Sequence, residues 1–408
     1  MKYVVIIPDG ASDYPLDALN GKTPLEAANI PYMDKLANLG FAGLTNNVPE
    51  IFTPGSDVAN MSIFGYNPEE YYTGRGPLEA GSLGIETSEC DVIFRCNTIN
   101  VKDNCIHDFN SGHISTEEAD ILLNGLNEYF TEKYPDFKGK FYTGTSYRHI
   151  FVYSCDSVEE AKKLSSLKTL PPHDFLNEDI DELRNWDFDL ANFIKKIMDE
   201  SNEYLVNAET NKKRIANNQI PTNLVWLWGQ GTTPSLPNFK EIYGLDAAVI
   251  TGVDLLKGIG AFAGFDIIRV PGATGFFDTD YKAKGEYAIE ALKTHDIVFV
   301  HVEASDEAGH ARDIEEKVKA IERVDKFIVG PVLESLEGDF KIAVLPDHPT
   351  PIDVGTHTRD KVPQIIYSTN PHRQIDAIES FSEKNCVKGS IPYKKGFNLV
   401  SRLINDDF

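Results

Sequence analysis

Acidic and imidazole side chains follow directly after an apolar run in the segment from Asp296 to His310. Residues Ile297 to Val302 have the length and the β-branched composition of a buried strand. If the chain becomes helical after this strand, Asp306 and His310 lie one turn apart on the same face and can bind one metal ion together. The alternative is a solvent-exposed loop at the start of an acidic helix. This segment by itself does not decide between the two.

Two further apolar runs also end in residues that bind metals. Tyr3 to Ile7 is followed by Asp9, and Lys341 to Leu345 is followed by Asp347 and His348, with His357 a few residues further on. Because parallel strands end at one edge of a sheet, these side chains are expected to meet there. They would form two small oxygen and nitrogen sites of the kind that accepts Mn²⁺, Zn²⁺, Co²⁺ or Mg²⁺. Two such ions close together are used for phosphoryl transfer.

Ser56 follows a Pro-Gly turn, at the position expected for the N-cap of a helix that begins at Asp57. A capping role is the simpler interpretation. The alternative is a nucleophile, since the positive end of a helix favours an alkoxide and then a bound phosphate.

Two arginines are candidates for binding an anion. Arg75 stands between two glycines, and Arg148 lies in a polar turn after a short predicted strand. A guanidinium in such a place can bind a substrate carboxylate or phosphate. A purely structural salt bridge is the alternative for each.

The elements that must position these residues alternate between short buried strands and helices. This order predicts an α/β fold with a doubly wound, mostly parallel sheet. A change of pattern between residues 88 and 187 predicts a smaller inserted α+β domain, which leaves residues 1–87 and 188–408 as the two parts of the core. In the second part, Asp187 to Arg214 has the pattern of one long helix. Asn223 to Trp228 has the pattern of a strand, with residues 229–231 as the turn after it.

Composition limits the classes of function. The net charge of −24 over 408 residues argues against nucleic acid or an anionic membrane surface as a partner. Five cysteines without metal-binding spacing favour reduced thiols, and the short apolar N-terminus is not a signal peptide, so a cytoplasmic location is expected. No apolar run is long enough for a membrane helix. A homo-oligomer is compatible with the sequence.

The motifs together resemble the cofactor-independent phosphoglycerate mutases, in their archaeal-type branch, within the alkaline phosphatase superfamily. The resemblance extends over essentially the whole chain. It rests on five segments: residues 7–10 (Ile-Pro-Asp-Gly), residues 55–60 (Gly-Ser-Asp-Val-Ala-Asn), residues 301–310, residues 346–348 (Pro-Asp-His) and residues 355–357 (Gly-Thr-His).

The resemblance implies an isomerase of glycolysis that interconverts 3-phosphoglycerate and 2-phosphoglycerate without 2,3-bisphosphoglycerate. Ser56 would be the nucleophile that carries the phosphoryl group. Two divalent ions are implied, with Mn²⁺ as the first choice. The implied ligands of one ion are Asp9, Ser56, Asp347 and His348, and those of the other are Asp306, His310 and His357. The inserted domain would close over the site and exclude water.

The resemblance also implies an active-site lysine in the segment from Val270 to Lys284. Lys284 is the first candidate, and Lys282 is the rival. Arg148 and Arg75 are the candidates for holding the substrate's carboxylate and phosphate.

Other functions stay open on the sequence. The segment from Trp226 to Gly231 is similar to a bacterial subgroup proposed to act as an alternative homoserine kinase in threonine biosynthesis, which would keep the metal core and change the phosphoryl acceptor. A phosphatase or another hydrolase of phosphate or sulfate esters is a further alternative. A non-catalytic metal-binding or scaffolding protein is the last.

Overall fold

The computed structural model describes residues 1–392 and 395–408. The chain divides into two compact units. Unit 1 consists of Met1–Tyr72 and Ser235–Phe408, and unit 2 consists of Thr73–Pro234. All the predicted metal ligands and Ser56 belong to unit 1.

Unit 1 is an α/β unit built around one large sheet. Its strands are β1 (Lys2–Pro8), β2 (Phe41–Thr45), β8 (Ala247–Ile250), β9 (Asp266–Ile267), β10 (Ile297–Val302), β11 (Phe340–Val344) and β12 (Val362–Ser368). Among the described residues they form a seven-stranded sheet in the order β2-β12-β11-β1-β10-β8-β9. Strands β11, β1, β10, β8 and β9 are parallel, whereas β12 runs antiparallel to its neighbours β11 and β2. The predicted α/β class with a mostly parallel sheet is therefore confirmed.

Helices connect these strands. They are α1 (Pro24–Ala27), α2 (Pro31–Leu39), α3 (Ser56–Ile63), α4 (Pro68–Tyr71), α11 (Phe239–Tyr243), α12 (Asp254–Ala263), α13 (Tyr281–Ala291), α14 (Ala304–His310), α15 (Ile314–Val324), α16 (Gly330–Ser335), α17 (Glu383–Cys386) and α18 (Leu399–Asn405). A π-helical turn, Asp325–Val329, joins α15 to α16.

Apolar side chains cover both faces of the central strands. Val298 and Val300 belong to the apolar cluster that includes buried residues of α2, α13 and α15. Phe299, between them, contacts Phe64 and Phe265 at ring-centroid distances of 4.8 and 5.4 Å. Because alternate residues of a strand point to opposite faces, a central strand buried on both faces must be apolar along its whole length. This explains the continuous apolar run that precedes the acidic segment.

Strand β1 lies between β10 and β11 and is parallel to both. Pro8 pairs with Val302 on one side, and Ile6 pairs with Val344 on the other. The three strands therefore end at one edge of the sheet, and the residues after them emerge side by side.

Unit 2 is an α+β unit. Its strands are β3 (Asp91–Lys102), β4 (Cys105–Asp108), β5 (Gly139–Thr145), β6 (Arg148–Ser154) and β7 (Leu224–Thr232), and its helices are α5 (Arg75–Ser82), α6 (Thr116–Lys133), α7 (Val158–Ser165), α8 (Ile180–Leu183), α9 (Asp189–Leu205) and α10 (Glu209–Ala216). Within the part of the chain that the structure describes, the strands form one antiparallel sheet in which β3 lies between β6 and β7.

The boundaries of the second unit differ from the predicted insertion at residues 88–187. Strand β7 pairs with β3 from Leu224 to Thr232, so it belongs to unit 2 and not to the core. The predicted turn at residues 229–231 is wrong for the same reason, because the strand continues through it. A pairing between two strands so far apart in sequence leaves no local signal.

The single helix predicted from Asp187 to Arg214 is also wrong. The chain forms α9 and α10 with a break after Leu205. The buried side chain of Asn211 donates to the carbonyl oxygens of Leu205 and Thr222, at 2.7 and 2.5 Å. This amide bonds the last carbonyl of α9, which the helix itself leaves without a partner.

No helix among the described residues is both long enough and apolar enough to span a membrane.

Candidate metal centre

The first cluster of predicted ligands gathers around the imidazole of His348. Its Nε2 lies 3.2 Å from Ser56 Oγ, 3.4 Å from Asp347 Oδ2 and 3.6 Å from Asp9 Oδ1. All four side chains have at most 9% of their surface exposed. The structure thus brings together the four residues that the resemblance assigns to one ion.

The second cluster gathers around the carboxylate of Asp306. Its Oδ2 lies 3.2 Å from His310 Nε2, and its Oδ1 lies 3.4 Å from His357 Nε2. The two Nε2 atoms are 3.0 Å apart. Asp306 and His310 lie one turn apart on α14, as their spacing predicts, whereas His357 comes from the loop after β11.

Helix α3 begins at Ser56 itself. Gly55 is its N-cap, and no side chain bonds the cap position. The prediction that Ser56 caps a helix starting at Asp57 is therefore wrong by one residue. Its hydroxyl is turned toward His348, and not back to the helix backbone.

Gly10 allows the turn after β1 to pass close to the second cluster. It has a φ of +61°, and a Cβ atom there would lie 2.7 Å from Asp306 Oδ1 and from Thr350 Oγ1. A side chain at this position would push the turn and Asp306 apart, so the approach requires glycine. The Gly10 amide also donates to Asp347 Oδ1 at 3.1 Å.

Burial and crowding of like charges perturb the carboxylates of this edge. Burial, together with the charges of Asp347 and Glu303, raises the pKa of Asp9 well above its usual value. Burial also raises the pKa of Glu303 to about 8. Burial acts in the same direction on Asp306, but its hydrogen bonds with His310 and His357 outweigh it and hold the pKa of Asp306 well below the usual value. In return, the bond to Asp306 raises the pKa of His310 to about 9.

The donor atoms fit divalent metal ions. Asp9, Asp347 and His348 offer one ligand atom each within 4.8 Å of one another, and so do Asp306, His310 and His357. Asp9 Oδ1 is fully buried and has no hydrogen-bond partner among the described residues. A buried, unpaired carboxylate oxygen is costly unless a cation compensates it. Carboxylates and imidazoles without thiolates suit Mn²⁺, Zn²⁺, Co²⁺ or Mg²⁺.

Two residues that support the first cluster were not assigned a role from the sequence. His301 Nε2 lies 2.8 Å from Asp9 Oδ2, and Asn60 Nδ2 donates to Asp347 Oδ2 at 2.8 Å. Both orient a carboxylate that is a predicted ligand. The available signal for His301 was a titratable side chain inside a strand whose six residues are otherwise apolar.

The two candidate lysines lie in different environments. Lys284 is fully buried, and its Nζ donates to the carbonyl oxygen of His301 at 3.0 Å. Burial lowers the pKa of Lys284 to about 8. Lys282 is 72% exposed and pairs with Glu286 at 3.5 Å. Of the two, only Lys284 contacts a strand that leads to the metal ligands.

The two predicted substrate-binding arginines are in unit 2. Arg75 is the first residue of α5, and Arg148 is the exposed first residue of β6. Both lie close enough to Arg95 for their charges to act on it. Burial lowers the pKa of Arg95, and the like charges of Arg75 and Arg148 lower it further, whereas the negative charge of Glu79 raises it. Arg95 is itself held by Glu79 at 3.1 Å and by the ring of Trp228, 4.0 Å from its guanidinium carbon. That Arg75 and Arg148 bind substrate stays a prediction.

Gln230, in the segment that suggested another phosphoryl acceptor, has a structural role within unit 2. Its Nε2 donates to the carbonyl oxygens of Ser165 and Leu167 at 3.2 and 2.6 Å, and its Oε1 accepts from Thr169 at 2.6 Å. These bonds tie β7 to the last residue of α7 and to the segment after it.

Comparison with known proteins gives a consistent result. The family described as 2,3-bisphosphoglycerate-independent phosphoglycerate mutase matches residues 37–211. A protein of Methanothermobacter thermautotrophicus with the name 2,3-bisphosphoglycerate-independent phosphoglycerate mutase 2 is 48% identical over 99% of this chain and 98% of its own length. A protein of Methanosarcina acetivorans with the name 2,3-bisphosphoglycerate-independent phosphoglycerate mutase is 47% identical over 99% of this chain and all of its own length.

Two solved structures are also similar to this chain. A protein from Pyrococcus horikoshii superposes with a TM-score of 0.83 and 30% identity, over 99% of this chain and 96% of that one. The cofactor-independent phosphoglycerate mutase of Thermoplasma acidophilum superposes with a TM-score of 0.69 and 25% identity over both complete chains. The names of these relatives give no support to the homoserine kinase alternative.

Proposed function

This chain belongs to the family of 2,3-bisphosphoglycerate-independent phosphoglycerate mutases, and from this membership we propose that it interconverts 3-phosphoglycerate and 2-phosphoglycerate through a phosphoserine on Ser56. The observation that carries the proposal is the place of the Ser56 hydroxyl. It lies at the first residue of α3, 3.2 Å from His348 Nε2, at the sheet edge where the acidic and imidazole side chains converge.

The proposed metal centre has two sets of ligands. Asp9, Ser56, Asp347 and His348 would hold one divalent ion, and a second set, made of Asp306, His310 and His357, would hold the other. When bound, such ions favour the alkoxide of a serine and neutralise charge on a transferring phosphoryl group. Mn²⁺ is the ion we propose first, because these oxygen and imidazole ligands suit it.

The chain's own groups complete the chemistry. Ser56 Oγ gives up its proton and attacks the substrate phosphorus in line, the bond from phosphorus to the glycerate oxygen breaks, and the released glycerate oxygen takes up a proton. The amides of the first turn of α3 face the phosphoserine and favour its negative charge. Glycerate stays bound while it reorients, and its other hydroxyl then takes the phosphoryl group back. Neither 2,3-bisphosphoglycerate nor a nucleotide takes part.

Water must be kept from the phosphoserine, since hydrolysis would turn the enzyme into a phosphatase. Closure by the inserted unit and substrate binding by Arg75 and Arg148 remain predictions for this step. A small phosphorylated substrate, a glycolytic role and a cytoplasmic location are part of the same proposal.

A paired assay tests the proposal. Metal-free protein would be reloaded with Mn²⁺ and offered 3-phosphoglycerate without nucleotide in one arm, and homoserine with ATP in the other. We expect 2-phosphoglycerate in the first arm, no O-phosphohomoserine in the second, and no product without metal. Release of inorganic phosphate instead of 2-phosphoglycerate, or phosphohomoserine as the product, would contradict the proposal.

A further inference from the structure

Thr350 lies between the two ligand clusters and contacts both. It is fully buried two residues after His348, and its Oγ1 forms a short hydrogen bond with Asp306 Oδ1. The same oxygen lies 3.3 Å from His348 Nδ1. One hydroxyl therefore joins a predicted ligand of one ion to a predicted ligand of the other.

The chemistry of the partners fixes the direction of these bonds. A carboxylate oxygen only accepts, so the single proton of the Thr350 hydroxyl is donated to Asp306. With its proton committed to Asp306, Oγ1 can only accept from His348, so a hydrogen bond there requires the ring to donate from Nδ1. A neutral imidazole that carries its proton on Nδ1 has its free electron pair on Nε2. In His348 that atom faces Ser56, Asp347 and Asp9.

The backbone of Thr350 is held firmly in this position. Lys317 Nζ donates to the Thr350 carbonyl oxygen at 2.8 Å and to Asp13 Oδ2 at 2.7 Å. Lys317 and Asp13 are both buried in an ion pair. On the other side, a Cβ atom at Gly309 of α14 would lie 2.4 Å from the same carbonyl oxygen, so the helix that carries Asp306 packs directly on it.

We propose that Thr350 is a positioning residue that couples the two metal sites. Its hydroxyl orients the Asp306 carboxylate by donating to it, and selects the metal-binding tautomer of His348 by accepting from it. This inference rests on the proposed ligand sets. Partners that orient metal ligands in this way typically contribute about 10- to 100-fold to metal affinity.

Three variants test the coupling by metal binding and not by activity. Thr350→Val removes the hydroxyl at nearly constant volume, and Thr350→Ser keeps it. Thr98→Val is the matched control, since Thr98 is a fully buried threonine of unit 2 whose hydroxyl has no hydrogen-bond partner among the described residues. The number and dissociation constants of bound Mn²⁺ ions would be measured by equilibrium dialysis on stripped and reloaded protein.

We expect Thr350→Val to weaken both Mn²⁺ ions by about 10- to 100-fold, whereas Thr350→Ser and Thr98→Val stay within a few-fold of the wild-type protein. Equal affinity in Thr350→Val and wild type, or weakening of one ion alone, would overturn the coupling. A wild-type protein that binds no divalent ion would instead overturn the proposed metal centre.

A second measurement needs no variant of Thr350. Long-range ¹H–¹⁵N spectra of the metal-free wild-type protein with ¹⁵N-labelled histidine report which ring nitrogen carries the proton, and a His348→Asn sample identifies the signal. We expect His348 to be protonated on Nδ1. Protonation on Nε2 would overturn the inference even if every variant folded poorly.

Discussion

Buried charge is concentrated at the residues of the metal centre. Asp9, Asp306 and Asp347 are at most 2% exposed, and Glu303 lies beside them. Carboxylates so close together are expensive to bury, and the raised pKa of Asp9 expresses that cost. Divalent ions bound at these residues would offset that cost.

Lys284 is the candidate active-site lysine, and its side chain is fully buried. Its ammonium lies near enough to Glu303 for that charge to oppose the loss of its proton. We expect Lys284→Met to lower turnover by about 100-fold, the typical cost of removing one preorganised electrostatic contact. Lys282→Met is the matched control on the same helix and should retain wild-type turnover, because the side chain of Lys282 is exposed and pairs with Glu286. Steady-state rates of both variants measure the effect. Equal losses of turnover in the two variants would contradict the choice of Lys284 as the active-site lysine.

At the scale of elements, the ends of strands were predictable and the pairing of distant strands was not. An apolar run followed by Asp9 or by Asp347 and His348 is a local pattern, and strand order does not need to be known to expect those residues at a common edge. The pairing of β7 with β3 depends on residues more than a hundred positions apart, for which one sequence holds no signal. The break between α9 and α10 depends on Asn211, a polar residue in a helical pattern whose bonds appear only in three dimensions.

The residues around Ser56 and the predicted ligands show the same limit of sequence-based prediction. Its residue type and turn were readable from the sequence, whereas the placing of Thr350, His301 and Asn60 around the ligands required the folded chain. In the sequence, Thr350 and Asn60 look like ordinary loop and helix positions, and only His301 stands out, as a titratable residue in an apolar strand.

The N-terminus of α2 makes a pH-dependent prediction about an element. Ile30, its N-cap, has no capping side chain, and Asp325 of the π-helical turn takes over that task by accepting from the amides of Met33 and Tyr32 at 2.6 and 3.2 Å. Burial raises the pKa of Asp325 from 3.8 to about 6. The folded protein therefore keeps this proton in a range where the unfolded chain has released it, so stability from this group is lost as pH rises from about 4 to about 6.

Asp325→Asn should remove that dependence. We expect the free energy of unfolding of the variant, relative to wild type, to rise between about pH 4 and about pH 6 and to level off above it. Urea unfolding in chelating buffer across this range measures the difference, and Asp103→Asn, an exposed turn residue, is the control that should show no trend. A difference that is constant or falls with pH would refute the assignment.

At the scale of the whole molecule, a protein of net charge −24 is proposed to act on an anionic substrate. The general field of such a protein repels anions, so attraction must come from local positive charge. Divalent ions held by the predicted ligands of unit 1 would supply such charge.

The division into units predicts how fragments behave. Unit 2 has its own apolar core, and Thr73 Oγ1 donates to the Thr232 carbonyl oxygen at 2.6 Å, so both ends of the unit are bonded to each other. We expect a fragment of residues 73–234 to unfold cooperatively in urea, as followed by circular dichroism. A fragment of residues 88–187 lacks β7 and α9, which cover one edge and one face of the sheet, and should not fold. Cooperative unfolding of the shorter fragment would contradict these boundaries.

The central claim is that the phosphoryl group passes through Ser56. Its most direct test is acid quenching of the Mn²⁺-loaded protein during turnover of 3-phosphoglycerate, followed by mass-spectrometric mapping of phosphopeptides. Ser62→Ala is the matched control, because Ser62 is a buried serine of the same helix whose hydroxyl donates to the Asn47 carbonyl oxygen at 2.6 Å. We predict phosphoserine at position 56 in the wild-type protein and in Ser62→Ala, and neither phosphopeptide nor turnover in Ser56→Ala, whose metal content at saturating Mn²⁺ stays nearly unchanged. Turnover that persists in Ser56→Ala, or a phosphoryl group found on another residue, would contradict the claim.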